Sequence, residues 1–118
     1  MSIRIEVENN QKEFEPGDSI SGKVFWDLTK EPKRVSVNLL WYTDGKGSED
    51  LEVVDSMEIE SFNFRGSKGF TFVLPDEPYS FSGTLISICW TLEAFAKKSK
   101  DKDQYELVVA PNGKEVRL

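Results

Sequence analysis

The feature that most constrains this fold is a row of apolar residues within residues 74–96. Every second residue is apolar at Ile86, Ile88, Trp90, Leu92 and Ala94. In an extended chain these side chains all point to one face, because side-chain direction repeats every two residues along a strand. A strand of this length crosses a whole domain. Its apolar row has to be covered by a second layer, so the segment predicts a layered β-structure.

Other alternating segments recur along the chain and are separated by turn-forming residues. They span residues 2–8, 19–28, 34–43, 51–64, 70–74 and 105–109. The pair Pro16-Gly17 is typical of a turn, because proline presets one backbone angle and glycine accepts a positive one. Gly22 interrupts the second segment and predicts a bulge or a close approach of backbone. The two glycines within residues 65–69 predict another turn.

The pattern predicts about eight or nine strands and no segment with helical periodicity. A parallel sheet would need long helical crossovers, so the spacing favours antiparallel pairing. We therefore predict an all-β protein, a two-sheet antiparallel immunoglobulin-like β-sandwich, with residues 1–118 as a single domain. Trp26 and Trp90 lie on the apolar rows of their strands, and we expect both in the core.

Charge and cysteine content exclude several classes of protein. The net charge is -6, which argues against nucleic acid as a partner because phosphate binding depends on clustered cations. The one cysteine, Cys89, cannot form an internal disulfide. The chain has no signal-peptide core and no apolar run of membrane-spanning length, so we expect a cytoplasmic protein without stable membrane insertion.

Two stretches resemble the two halves of an arrestin-type lobe. The first is Phe14-x-Pro16-Gly17-Asp18-x-Ile20-x-Gly22-x-Val24, followed by Leu39-Leu40-Trp41-Tyr42. The second starts at Gly69 and continues as Leu74-Pro75-x-x-Pro78-x-Ser80-x-x-Gly83-x-Leu85-Ile86-Ser87-Ile88-x-Trp90-x-Leu92-Glu93-Ala94. Together they cover nearly the whole chain in the order of that lobe. The resemblance implies an arrestin-like sandwich.

The resemblance also implies a function without catalysis. Arrestins, Vps26-like proteins and alpha-arrestins are adaptors that bind receptors, transporters or sorting complexes through loops and sheet edges. Those proteins pair two lobes, whereas this sequence carries one and ends at Leu118. We therefore expect no counterpart here of the polar core between lobes and its phosphate-sensing switch. No phosphate-binding or receptor-binding residue is carried over, and we expect a single-lobe relative with an unidentified client.

The residue types needed for common catalysis are absent or badly placed. The chain has no histidine, which removes the usual general base and the commonest metal ligand. Cys89 has no adjacent cation to lower its pKa, so we interpret it as a packing thiol. The acidic residues of the loops are interpreted as solvated side chains. We predict no enzyme, no catalytic residue, no metal site and no cofactor.

Two sets of apolar residues are candidates for partner binding. Tyr79 and Phe81 lie in a loop restrained by Pro75 and Pro78 and can anchor a partner protein, because rigid aromatic side chains lose little entropy on binding. The competing interpretation, which we take as the default, has them fill one end of the sandwich. The second set gives both faces of the strands apolar character. This pattern predicts an apolar interface or, alternatively, strands that long loops bury. The members of this set are Leu40, Tyr42, Val54, Leu85 and Phe95.

Three functions remain open on the sequence. The first is a protein-interaction module that acts as an adaptor or scaffold for an unidentified protein partner. The second is a structural protein that assembles with itself, for example as a homodimer, through strand edges or the apolar interface. The third is a sandwich that binds a small ligand or carbohydrate.

Overall fold

The computed structural model describes residues 2–28, 34–45, 50–60, 64–82, 86–96, 101–111 and 116–117. Within these ranges the chain forms mainly strands, and a short 3-10 turn lies at Glu8–Asn10. The strands are β1 (Ser2–Val7), β2 (Glu13–Phe14), β3 (Ser19–Asp27), β4 (Val35–Gly45), β5 (Leu51–Ile59), β6 (Arg65–Val73), β7 (Phe81–Ser82), β8 (Ile86–Ala96), β9 (Lys102–Val109) and β10 (Val116–Arg117).

The strands form two sheets that pack face to face. The smaller sheet has the order β1-β3-β6, and the larger has the order β10-β7-β8-β4-β5, with β9 also paired to β8. The pairings are antiparallel except for two short parallel ones, β2 with β9 and β7 with β10. The described residues therefore confirm the predicted two-sheet sandwich. The last strand, β10, pairs in parallel with β7.

The strand β8 lies at the centre of the large sheet. Nearly its whole length pairs with β4 on one side, while β9 and β7 pair with the other side. Trp90, Leu92 and Ala94 are completely or almost completely buried, as the alternation predicted. Trp26 of β3 is also buried, so the expected core position of both tryptophans is confirmed.

The core lies between the inner faces of the two sheets. Each strand contributes alternate residues, which is why the apolar rows of the sequence meet there. The small sheet contributes Ile3, Ile5, Val7, Ile20, Val24, Trp26, Phe70 and Phe72, and the large sheet contributes Val35, Val37, Leu39, Trp90, Leu92, Ala94, Ala96, Leu107 and Val109.

Gly22 of β3 marks the close backbone approach that the sequence predicted. A Cβ atom at this position would overlap the carbonyl oxygen of Glu6 and lie 2.9 Å from Cζ of Phe70. Glycine therefore allows β1, β3 and β6 to pair side by side at this point.

The predicted turn at residues 65–69 is wrong, because β6 already begins at Arg65 and pairs with β3 from there onward. Gly66 pairs with Trp26, and a Cβ atom at Gly66 would overlap the indole ring. The glycine serves to make room for Trp26 within a strand. Arg65 also forms an ion pair with Asp27, at 3.1 Å between Nε and Oδ1.

Candidate partner-binding surfaces

Hydrogen bonds to the core hold the loop that contains Tyr79. The indole Nε1 of Trp90 donates to the carbonyl oxygen of Pro78 at 3.0 Å. Ser80 is buried, and its backbone N–H donates to the carbonyl of Val109 at 2.7 Å. The N–H of Val109 in turn donates to Oγ of Ser80 at 2.9 Å. Pro78 and Ser80 are thus both hydrogen-bonded to strands of the large sheet.

Tyr79 lies between these two hydrogen-bonded residues, and its side chain is 40% exposed. Part of the side chain is therefore accessible to a partner, and both interpretations of Tyr79, partner binding and filling one end of the sandwich, stay predictions. Hydrogen bonds hold the residues on both sides of Tyr79: Trp90 donates to the carbonyl oxygen of Pro78, and the N–H of Val109 donates to Oγ of Ser80. An aromatic side chain presented in this way loses little backbone entropy when a partner covers it.

The backbone of Phe81 starts β7, where it pairs with Ile88 of β8 and with Val116 of β10. The side chain of Phe81 lies outside the described residues. The structure therefore places the backbone of this candidate in the large sheet.

The outer face of the large sheet carries three of the five residues predicted as an apolar interface. Leu40 and Tyr42 of β4 alternate with core residues, and so does Phe95 of β8. Tyr42 and Phe95 are half-buried, but Leu40 is only 4% exposed. Leu40 therefore gives little surface to a partner. Leu85, the fourth predicted residue, lies outside the described residues.

Val54, the fifth predicted residue, packs against the core instead of facing outward. The reason is a bulge in β5. Leu39 pairs with Asp55 and Leu40 pairs with Val53, so Val54 is an extra residue opposite β4. Such a residue changes which side chains face each side of a sheet. The prediction that Val54 contributes to an outer surface is corrected accordingly.

The same bulge brings Leu51 and Val53 to the outer face, where sequence reasoning had not placed them. Val53 pairs with Leu40, and Leu51 pairs with Tyr42. Leu51 is 64% exposed and Val53 is 48% exposed. We call these four residues, Leu40, Tyr42, Leu51 and Val53, the outer patch. The two apolar side chains of β5 supply most of its accessible apolar surface.

The hydroxyl group of Tyr42 sits among groups that oppose its ionisation. Burial raises the pKa of Tyr42 above its ordinary value of 10.0, since removing the phenolate from water is unfavourable. Electrostatic interactions with Cys89, Glu106 and Asp44 raise the pKa of Tyr42 further, and Cys89 is also hydrogen-bonded with Tyr42. Cys89 is half-buried on the outer face, beside Tyr42, rather than in the core.

The stability of the protein is expected to fall in alkaline solution partly because of Tyr42. Its pKa is raised in the folded state, so the associated stability is complete below the unfolded value of 10.0 and is lost as the pH rises through the folded value. Urea unfolding measured from pH 8 to above about pH 10 tests this expectation. The Tyr42→Phe variant should lose less stability over that interval than the wild type. Equal losses in both proteins would contradict the assignment.

The described part of the chain contains no candidate metal-binding cluster. No group of three or more cysteine, aspartate or glutamate residues there has an arrangement suited to a metal ion. No buried side-chain nitrogen or oxygen atom among the same residues lacks a hydrogen-bond partner. Nor do the described residues include a helix with the length and apolar character that membrane crossing requires.

A groove of about 640 Å³ opens where β5 of the large sheet lies near β6 of the small sheet. Met57 of β5 forms one wall, while Phe70 and its neighbours in β6 form another. Gly22 lines the groove, and the charged residues along it are Glu6, Glu8 and Lys23.

Comparisons with known proteins show the fold but no family. No protein-family model matches the chain, and no curated protein matches it. Spo0M, a sporulation control protein from Bacillus subtilis, is similar in structure with a TM-score of 0.63 and 14% identity. The match covers 93% of this chain and 49% of the Spo0M chain, so this chain spans about half the length of Spo0M.

A second similar structure is β-glucosidase from Listeria innocua in complex with gluconolactone. Its TM-score is 0.52 with 15% identity, covering 98% of this chain but 16% of the enzyme chain. Both identities are low, so these likenesses concern the fold alone. Spo0M has an arrestin-like fold, which confirms the predicted arrestin-type sandwich.

Proposed function

We propose that residues 1–118 form one arrestin-like lobe that acts in the cytoplasm as a non-enzymatic adaptor for a protein partner. The observation that carries the proposal is the presentation of Tyr79 at the surface of a loop fastened to the core. Exposed aromatic anchors on restrained backbone are typical of the residues that contribute most to protein binding. The arrestin-like fold and the regulatory role of Spo0M support the same class of function.

The partner-binding surface in this proposal is the loop at Tyr79, with Phe81 next to it in sequence. Tyr79 offers an apolar ring and a hydroxyl group, a combination that is common at protein interfaces. A matching partner surface is an apolar pocket that covers the ring of Tyr79 and has a polar group at its rim to hydrogen-bond with the tyrosine hydroxyl group.

Affinity capture from lysate of the native host tests the adaptor role. Crosslinked complexes of the wild type, Tyr79→Ala and the double variant Tyr79→Ala/Phe81→Ala are identified by mass spectrometry. We expect the variants to recover at least about tenfold less of a reproducible partner, because removing a central aromatic anchor weakens binding by that order. Val73→Ala is the matched control, since Val73 is also large, apolar and exposed but lies in β6.

The control variant should retain the partner at the wild-type level. Recovery of the same proteins by all variants would contradict a role for Tyr79 in binding. If Tyr79→Ala unfolds the domain, as circular dichroism would show, the side chain is structural and the proposed surface is wrong.

A second candidate function is self-assembly through the outer patch, which the exposure of Leu51 and Val53 favours. Exposed apolar side chains on neighbouring strand positions can be covered by the same patch of a second copy. Sedimentation equilibrium at high micromolar concentration separates this function from the adaptor role. A dimer that becomes a monomer in Leu51→Ser/Val53→Ser would support self-assembly, whereas a monomeric wild type would exclude it.

A further inference from the structure

The free side of β5 is an open edge of the large sheet. β4 pairs with one side of β5, and no strand among the described residues pairs with the other side. In an antiparallel ladder, every second residue of an edge strand directs its backbone N–H and C=O groups away from the neighbouring strand, so these groups have no partner within the sheet. β5 is nine residues long, so it offers a substantial row of backbone groups for pairing.

In the first part of β5, residues 51–55, exposed apolar and acidic side chains lie on opposite faces. Farther along the strand Glu58 pairs with Ser36 on the outer face, and Met57 packs against the core. Leu51 and Val53 are exposed on the outer face, where they pair with Tyr42 and Leu40. Glu52 and Asp55 point to the other face, since they pair with the inward residues Trp41 and Leu39. Both acidic side chains are exposed at the edge. Along residues 51–55 an added strand would thus meet exposed apolar side chains on one face and negative charge on the other.

The groove between β5 and β6 continues the acidic face. Met57 of β5 lines this groove, and its charged residues are Glu6, Glu8 and Lys23. The lining itself has two carboxylates against one ammonium group, and Glu6 also forms an ion pair with Arg4 at 3.5 Å, so the negative charge of the groove is concentrated at Glu8. Side chains that an added strand directs toward the groove would therefore be favoured if they carried positive charge.

The same charges oppose the pairing of β5 with a second copy of itself. The charged residues of β5 are Glu52, Asp55 and Glu58, so a second β5 strand in any register would bring three more carboxylates and no cation to this edge. Like charges directly opposite each other destabilise strand pairs. Charge complementarity therefore favours a cationic partner segment over a second copy of this chain.

We propose that β5 binds an extended segment of a partner protein by strand addition, and that this segment alternates cationic with apolar side chains. Lysine or arginine side chains point toward Glu52, Asp55 and the groove, while apolar side chains extend the outer patch beside Leu51 and Val53. Backbone hydrogen bonds provide affinity and the alternating side chains provide specificity. This inference rests on the proposed adaptor function and assigns it a second surface, distinct from the Tyr79 loop.

Synthetic peptides test the proposal on the full chain. The probe is an acetylated and amidated peptide of nine residues, the length of β5, in which lysine alternates with valine. The first control peptide replaces each lysine with glutamate. Two further control peptides carry backbone N-methyl groups, one at every lysine and the other at every valine. Because alternate residues of an extended peptide direct their N–H groups to the same edge, each control peptide lacks the hydrogen-bond donors along one of its two edges. Binding is followed by nuclear magnetic resonance, together with hydrogen exchange of the β5 amides.

We expect the lysine peptide to bind and to slow hydrogen exchange of alternate β5 amides, while the glutamate peptide does not bind. At least one N-methylated peptide should also fail to bind. In Glu52→Lys/Asp55→Lys, affinity for the lysine peptide should fall roughly tenfold, because two attractions become repulsions. Glu13→Lys/Asp76→Lys has the same change in net charge at exposed positions away from β5, and its affinity should stay within about threefold of wild type.

Several results would overturn the proposal. They are equal binding of the lysine and glutamate peptides, unchanged exchange at β5, and equal weakening in the two charge variants. A dimeric free protein whose β5 amides are already protected would assign the edge to a second copy. If the lysate experiment gives a partner that depends on Tyr79 while the peptides fail, the adaptor function stands and only the assignment of β5 is wrong. Peptide binding at β5 without such a partner would instead contradict the role of the Tyr79 loop.

Discussion

Replacing Trp90 with alanine is expected to lower the free energy of unfolding by about 3 to 5 kcal/mol. The indole is 1% exposed and belongs to the core between the two sheets, so its removal leaves a large cavity. Its Nε1 also donates the hydrogen bond that holds the carbonyl of Pro78. Guanidinium unfolding followed by circular dichroism measures the loss. A loss below about 1 kcal/mol would contradict the central position of Trp90.

Trp90→Phe separates the two contributions of the indole. Phenylalanine keeps much of the buried apolar volume but has no donor for Pro78, so part of the cost remains. We expect this variant to lie between the wild type and Trp90→Ala in stability. Because the missing bond holds the loop, hydrogen exchange near Tyr79 should speed up in both variants. Unchanged exchange there would show that the bond from Trp90 does not restrain the loop.

Replacing Gly22 with alanine is expected to destabilise the protein by about 2 to 3 kcal/mol. The new methyl group would overlap the carbonyl oxygen of Glu6 and press against the ring of Phe70. The carbonyl oxygen of Glu6 belongs to the backbone of β1 and cannot rotate aside as a side chain can. β1 therefore has to move away from β3 for the methyl group to fit. The same unfolding experiment applies. Because alanine normally suits a strand better than glycine, a stabilised variant would contradict the close approach directly.

Gly69→Ala is the matched control for Gly22→Ala, because both glycines lie in adjacent strands of the small sheet. A Cβ atom at Gly69 would meet only the carbonyl oxygen of Gly22 at 3.7 Å, an ordinary contact. We expect this substitution to change stability by no more than about 0.5 kcal/mol. A similar loss in both variants would mean that the small sheet tolerates no added side chain in this region.

The candidate surfaces were only partly predictable from the sequence. The loop at Tyr79 was identified from its prolines and aromatic residues, but its exposure depends on hydrogen bonds from Trp90 and Val109, which come from distant strands. The predicted apolar interface included Val54 and missed Val53. A single extra residue in β5 exchanges the faces of its neighbours, and the sequence contains no signal that distinguishes the bulge from regular alternation.

The sequence by itself determined which side chains form the core and that the fold consists of layered sheets. The alternation at Trp90, Leu92 and Ala94 reports burial directly, because the period of a strand is a local property of the backbone. The tertiary structure alone determined which strands are neighbours, including the parallel pairing of β10 with β7 and the edge position of β5. Strand order depends on contacts between distant residues, and many pairings satisfy the same local pattern. The two features on which the proposals rest, an exposed Tyr79 and an acidic edge strand, belong to this second group.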